Sequence, residues 1–417
     1  MPHLNDTSSE QAINVLSAAA NETIEQVIKP HLNETFPALT LAVVKNGEVL
    51  LNAAWGWLDP EDQTLPIMPD TLFDLASVSK IFATTTFLTL VSADKVALDD
   101  PLENVIPEFA ESGPRAIDGG QDPDTKAMLP TPDELRDQTV DPREVTFHHL
   151  LTHTSGQSPW RDVFNAAGPA PVPPDQPDPI SRAERWAKAL HALCNYPFVG
   201  QPGEGVVRYS DLGLMLVGEA ASRLHGTPGD LEAAVQARLC EPLALARITY
   251  NPLQHGYTRQ HVAPAEDDPT WRRRRIWGEV HDENASGLGG VAGHAGVFGT
   301  ARDVAALGQA WLDRDPRLGI DPDLMALTTR EHAQTDGIRR GLGWQMKTQE
   351  GSWAGDLAHP DTYGHTGFTG TSLCIDPSRQ LVIAILTNRV YPGREKPGIY
   401  PFRRALHAAL MAITDEL

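Results

Sequence analysis

Ser77 and Lys80 lie three residues apart in the stretch Phe73-Asp74-Leu75-Ala76-Ser77-Val78-Ser79-Lys80-Ile81-Phe82. On a helix that spacing places an amine and a hydroxyl on neighbouring positions of one face. A serine alcohol becomes a useful nucleophile when a neighbouring base takes its proton. A lysine serves as that base if burial lowers its pKa from about 10.4 toward roughly 7 to 8. Spacing alone does not decide, since Ser92-Ala93-Asp94-Lys95 repeats it. The second copy reads as an ordinary helix end, where the apolar pattern fades and Asp99, Asp100 and Pro101 follow. Ser77 instead opens a helix, where unpaired backbone N–H groups point outward. Ile81, Thr84, Leu88 and Val91 continue one stripe at helical spacing, so a helix with a buried face and a reactive start is expected.

Four other pieces carry chemistry if they reach Ser77. Tyr209-Ser210-Asp211 precedes a helical run. A phenol held near a lysine ammonium loses its proton more easily and can act as a base. The alternative is Ser210 or Asp211 as a helix N-cap, with Tyr209 packing. His365-Thr366-Gly367 opens the C-terminal strand region. Glycine lets a substrate approach the backbone closely, and the strand N–H after it can pair with the Ser77 N–H to hold an oxyanion. The alternative is a glycine at a strand edge or bulge. His294, within Gly293-His294-Ala295-Gly296, either lines the site or makes local loop hydrogen bonds. His281-Asp282-Glu283-Asn284 raises a metal, but residues adjacent in sequence do not point at one ion, and no His-Glu-x-x-His pattern exists.

The elements that must position these groups can be read in outline. The chain has 417 residues, 41% hydrophobic and 21% charged, ample for a large core. Its net charge of −21 argues against nucleic acid and anionic membrane as partners. Arg272-Arg273-Arg274-Arg275 reads as a solvated surface run or as a dock for a substrate carboxylate. Cys194, Cys240 and Cys374 have no paired spacing and read as small buried apolar residues. No basic start precedes an apolar run, and no segment is long enough to span a bilayer, so a cytoplasmic protein is expected. Residues 8–31 show a helical period. Two β-prone runs, 38–45 and 48–52, flank Asn46-Gly47, a strong hairpin signal. Residues 107–145 and 157–180 read as long loops, the second rich in proline and a candidate lid. Helical patterns cover 181–195, 211–225, 229–240 and 301–314, strands are expected at 341–346, 371–375 and 381–387, and a closing helix at 401–413. The order suggests an α/β (α+β) fold. An antiparallel sheet flanked by helices forms from residues 8–100 and 285–417, beside a mainly helical domain of residues 101–284. A cleft between two such parts is the usual place for a site.

Taken together, Ser77-x-x-Lys80, Tyr209-x-Asp211 and His365-Thr366-Gly367 occur in the order found in serine β-lactamase-like and penicillin-binding-protein-like hydrolases. The chain resembles the class C branch with its esterase and D-amino-acid peptidase relatives. The flanks Leu150-Leu151-Thr152-His153-Thr154-Ser155-Gly156 and Gly364-His365-Thr366-Gly367-Phe368-Thr369-Gly370 agree, and the tract from Val280 to Gly299 is similar to penicillin-binding-protein 4B-like members. The resemblance covers about residues 20–413. It implies that Ser77 is acylated, that Lys80 and Tyr209 form its base system, and that the Ser77 and Phe368 N–H groups form the oxyanion hole. Asp211, His365, Thr366, Gly367 and His294 would face the substrate, a small molecule or short peptide, without a metal or organic cofactor. The oligomeric state is left open.

Two positions depart from the pattern. Asp211 stands where the family commonly has Asn, and as a carboxylate it would pair with Lys80, hold it charged and shift the proton-taking role to Tyr209. His365 stands where Lys is common, replacing a fixed cation by a titratable group. If His365 works as the neutral ring, activity should fall below its pKa. Both changes fit an esterase or D-amino-acid amidase better than an efficient β-lactamase. Two other readings are a catalytically silent binding protein of the same fold and a metal-dependent amidase using His281, Asp282 and His294.

Overall fold

The computed structural model describes residues 11–417. Among these, one antiparallel sheet of nine strands organises the molecule. Its strands are β1 (Ile13–Asn14), β2 (Ala38–Lys45), β3 (Glu48–Gly56), β4 (Ala333–Thr335), β5 (Ile338–Arg340), β6 (Gln345–Met346), β7 (Tyr363–Thr366), β8 (Ser372–Asp376) and β9 (Leu381–Thr387). Their order across the sheet is β1-β3-β2-β9-β8-β7-β6-β5-β4. Thus β2 pairs with β9, Lys45 opposite Leu381 through to Leu39 opposite Thr387, joining the two ends of the chain.

The helices that matter here are α1 (Ala18–Ile28), α2 (Ser79–Ser92), α3 (Phe147–Thr152), α4 (Arg182–Leu193), α5 (Asp211–His225), α6 (Ala301–Leu312) and α7 (Ile399–Asp415). Successive strand residues face opposite sides of a sheet. Accordingly Leu39, Leu41, Val43, Leu381, Ile383 and Ile385 pack with Ile24 and Ile28 of α1 and Phe402, Leu406 and Leu410 of α7. Ala38, Ala42, Val44, Val382, Ala384 and Leu386 pack on the other side, in a continuous core that includes Val304 and Leu307 of α6, Phe82 and Phe87 of α2, and Leu214 and Leu216 of α5. Burial on both faces explains why β2 and β9 are apolar runs rather than alternating ones.

The Asn46-Gly47 turn has φ of +52° and +80°, the signature of a type I′ hairpin. The helical period of residues 8–31 yields an α-helix over Ala18–Ile28, capped by Ser17 and continued by a 3₁₀ turn at Lys29–His31; Ile13–Asn14 instead extends the sheet edge beside β3, and residues 8–10 lie outside the described residues. The strand expected at 341–346 is reduced to β6, because residues 341–344 form the connection from β5. The helix α2, expected to bury one face, is buried all round from Ser79 to Leu90. It runs through the middle of the molecule, so no face is left for solvent.

Most of the arginine run is engaged within the protein, and only Arg273 is exposed. Arg272 is buried against Asp268 and donates to the carbonyls of Val280 and His281. Arg274 pairs with Glu279 and reaches the carbonyls of Pro171 and Val172, while Arg275 donates to those of Ala265 and Tyr391. Three of the four guanidiniums therefore clasp loops, and the proline-rich segment is one of them. The three cysteines are free and buried. No helix among the described residues is long and apolar enough to cross a membrane.

Candidate active site

The segment that presents Ser77 begins as a two-residue strand, Phe73–Asp74, paired with Phe298–Gly299. The chain then turns at Ala76, whose φ of +46° lies in the left-handed region. A residue with a Cβ pays about 1–2 kcal/mol to stay there. Ser77 follows in a 3₁₀ turn, Ala76–Val78, and α2 starts at Ser79. The turn is held from several sides. The Ala76 N–H donates to the Asp74 carboxylate (2.8 Å) and the Leu75 N–H to the Val297 carbonyl (2.9 Å). The hydroxyls of Thr369 and Thr371 donate to the carbonyls of Asp74 and Leu75, each at 2.8 Å. The loop after β7 is thereby stitched to the Ser77 turn. Among the described residues, neither the Ser77 nor the Phe368 backbone N–H donates to a protein acceptor.

Gly367 sits at the seam. A Cβ there would stand 2.6 Å from the Leu75 carbonyl oxygen and 3.3 Å from the Ala76 Cβ. Gly367→Ala is therefore expected to push the two turns apart. The measured loss should be about 10²-fold or more in kcat, with about 1–3 kcal/mol of stability lost to overpacking. A purified Gly367→Ala protein with unchanged kcat would mean that the turns need not touch.

Lys80 is 1% exposed, and its ammonium donates to Ser77 Oγ (2.9 Å) and the His294 carbonyl (3.2 Å) while pairing with Asp211 Oδ1 (2.8 Å). Burial disfavours the charge, but Asp211 and Tyr209 outweigh it and hold the Lys80 pKa above its ordinary value. Burial thus does not turn Lys80 into a neutral amine. Asp211 owes its place to Ser210, which caps α5 by accepting from the Gly213 N–H and leaves Asp211 as the first helical residue. Ser210 is the cap, and Asp211 points at the lysine.

Tyr209 stands among four potential cations. Its ring centroid is 4.7 Å from Lys80 Nζ, 5.0 Å from Arg340 Cζ, 4.8 Å from the His153 ring and 6.0 Å from the His365 ring. His153 ends α3 in the left-handed conformation, φ +59°, and its Nδ1 accepts from the Ser210 N–H (3.0 Å), which fixes the Tyr209 segment. Burial drives His153 and His365 well below the ordinary imidazole range, with Arg340 and Lys80 adding to the shift in each. Both rings are neutral in this setting. Arg340, on β5, is buried without an ion-pair partner among the described residues, and its Nε and Nη1 have no hydrogen-bond partner. His365 Nδ1 contacts the Thr366 carbonyl oxygen (2.8 Å), and the Thr366 hydroxyl donates to Gln345 (3.4 Å).

The remaining histidines stand farther back. His294 is buried, with Nε2 on Asp282 (2.9 Å), so its carbonyl rather than its ring meets Lys80. His281 pairs with Glu266 (2.9 Å) and its ring stacks on Phe368 at 5.6 Å. These are two separate pairs, and among the described residues no group of three His, Cys, Asp or Glu is placed to hold a metal ion. Phe368 is 48% exposed. Ser92 caps nothing catalytic: its hydroxyl accepts from the Asp321 N–H at the end of α2.

A family model described as β-lactamase matches residues 24–408. The chain belongs to the β-lactamase family. It is a serine hydrolase of that family, with the β-lactamase/transpeptidase-like fold. A protein of Salmonella agona (strain SL483), named as a candidate D-alanyl-D-alanine carboxypeptidase, is 29% identical over 402 residues, 90% of this chain and 84% of that protein. Among solved structures, EstCE1, described as a hydrolase with promiscuous acyltransferase activity, superposes with a TM-score of 0.67 at 20% identity, covering 94% of this chain and 98% of its own. A penicillin-binding protein homologue from Caulobacter crescentus gives 0.66 at 20% identity, covering 97% and 100%.

Sequence reasoning assigned no part in this β-lactamase-family site to His153, Arg340 or Asp74. The His153 ring and the Asp74 carboxylate lie inside quoted motifs, and nothing but the fold shows what they touch. Arg340 stands 25 residues before His365 and arrives beside Tyr209 only because β5, β6 and β7 are neighbours in the sheet.

Proposed function

We propose that this protein hydrolyses an ester or amide through an acyl-enzyme on Ser77. The observation that carries the reading is the 2.9 Å contact of Lys80 Nζ with Ser77 Oγ, made by an ammonium that Asp211 keeps charged. A charged lysine donates to the serine oxygen and leaves the serine proton for Tyr209. As that proton moves to the oxygen of Tyr209, which enters the step as the phenolate, Oγ bonds to the substrate carbonyl carbon and the Ser77 and Phe368 N–H groups take the oxyanion. Collapse breaks the bond to the leaving group, which receives the proton. Water then repeats the sequence on the acyl-enzyme, the carbon–Oγ bond breaks, and Ser77 regains its hydrogen. Phe368, half exposed beside the proposed oxyanion hole, offers an apolar surface to the acyl part.

Ester substrates are favoured because His365 supplies no fixed cation. The relative named for D-alanyl-D-alanine carboxypeptidase activity supports the peptide reading, and Arg340, which has no ion-pair partner among the described residues, would compensate there for the missing lysine. A panel of p-nitrophenyl esters, D-alanyl peptides and nitrocefin decides between them. Ester turnover exceeding peptide and nitrocefin turnover is the expected result, and the reverse order overturns the ester reading.

The pH dependence follows from the burial of His365. A ring whose pKa lies well below 6.5 stays neutral from pH 6.5 upward and through the acid range down to its lowered value. The kcat/KM profile between pH 6 and 8 should carry no inflection from His365, and that of His365→Gln should have the same shape. An inflection near pH 6.5 that vanishes in His365→Gln would contradict this.

A further inference from the structure

We infer that Asp74 is the positioning residue that holds the two oxyanion donors in one register, an inference that rests on the acyl-enzyme reading above. Its carboxylate is buried and both oxygens are taken by backbone N–H groups, Oδ1 by Ala76 (2.8 Å) and Oδ2 by His281 (2.6 Å). Its backbone carbonyl accepts from the Thr369 hydroxyl (2.8 Å). Asp74 thus touches three segments: the turn that carries Ser77, the loop that carries Phe368, and the segment whose His281 ring stacks on Phe368. From the other side Arg389 donates from Nε to the Phe368 carbonyl (2.7 Å) and lies 4.5 Å from its ring.

The need for such a hold is visible at Ala76. A residue with a Cβ leaves the left-handed region unless its surroundings keep it there. The peptide that follows Ala76 contains the Ser77 N–H, so relaxation of Ala76 rotates one of the two donors. Oδ1 of Asp74 is the side-chain acceptor for the Ala76 N–H. Replacing the carboxylate by an amide keeps the shape but exchanges one acceptor for a donor, which cannot face two N–H groups. Glycine at position 76 would adopt φ of +46° without help.

The test compares wild type, Asp74→Asn and the double variant Asp74→Asn/Ala76→Gly. Each is measured for kcat and KM on a p-nitrophenyl ester, for inhibition by a boronic acid, whose tetrahedral adduct places an oxygen in the oxyanion hole, and for Tm. Asp74→Asn is expected to lose about 10²-fold in kcat with KM within about threefold. Boronate affinity should fall in step. The double variant should recover at least about tenfold in kcat and boronate affinity without regaining Tm, because glycine relieves backbone strain but loosens the unfolded chain. Recovery of kcat without Tm is something a merely structural role would not produce. Asp74→Asn with kcat and boronate affinity within about threefold of wild type overturns the inference, as does a double variant that recovers nothing. If Asp74→Asn does not fold, the double variant alone decides: kcat within about thirtyfold of wild type supports the inference, and a lower value overturns it. Failure of the underlying reading looks different, since wild type itself would then take no fluorophosphonate on Ser77.

Discussion

Ser77→Ala is expected to abolish the mass increment that a fluorophosphonate leaves on the intact protein, and to lower ester turnover by about 10⁴- to 10⁶-fold. Ser77 is the hydroxyl that the Lys80 ammonium reaches, at 2.9 Å, and it stands at the start of the central helix with its own N–H unused. Among the described residues no other serine hydroxyl is reached by a lysine ammonium; the Ser92 copy of the spacing accepts a backbone N–H at the far end of the same helix. Removing the nucleophile leaves the proposed oxyanion donors in place, so substrate binding should persist while covalent chemistry stops. An adduct of equal yield on Ser77→Ala would refute the assignment outright. Absence of an adduct on wild type with every probe would favour a binding protein that keeps the fold without the chemistry.

Lys80→Ala is expected to damage both activity and stability, for different reasons. Turnover should fall about 10³- to 10⁴-fold, because the proton relay between Ser77 and Tyr209 loses the charge that orders it. Stability should fall by about 3 kcal/mol, because the Asp211 carboxylate, 19% exposed, is left without its cation. The two effects separate in Lys80→Met/Asp211→Leu, which removes the buried pair as a unit. That variant should regain most of the lost stability in urea titrations while staying inactive. The sign of the pH dependence also follows. Lys80 has a raised pKa in the folded protein, so the stability tied to its charge is fully present below pH 10.5 and is lost as pH rises through the folded value. Urea midpoints of wild type measured from pH 6 to 9 should therefore show no loss traceable to this pair. Near-normal turnover by Lys80→Ala would remove the lysine from the mechanism.

Much of this was legible because the site is built from the ends of elements, where a few consecutive residues decide local geometry. Ser77 opens a helix, Asp211 follows the Ser210 cap, and His365 to Phe368 leave a strand, so each motif is a short run. The hairpin at Asn46-Gly47 was equally plain. The hairpin at Asp336-Gly337 carries the same signal, with φ of +50° and +81°, and pairs Thr335 with Ile338, yet its flanking strands have three residues each and too little apolar pattern to be noticed. That is the strand pair that delivers Arg340. The all-round burial of α2 was hidden because Thr85, Thr86 and Thr89, polar residues off the Ile81–Val91 stripe, are buried by the fold as well. Partners that meet only through tertiary packing leave no local trace. The neutrality of His153 and His365 depends on burial, and the strain at Ala76 on what holds the backbone around it.

The β2–β9 seam has a consequence for how the molecule comes into being. Its two halves leave the ribosome more than three hundred positions apart, and Arg403 of the last helix, α7, donates to the carbonyl of Thr371, on the loop that carries Phe368. Hydrolytic competence must therefore appear late and all at once during biosynthesis. A nascent polypeptide stalled before β9 would hold every motif of the site yet lack the strand that joins the two ends of the sheet.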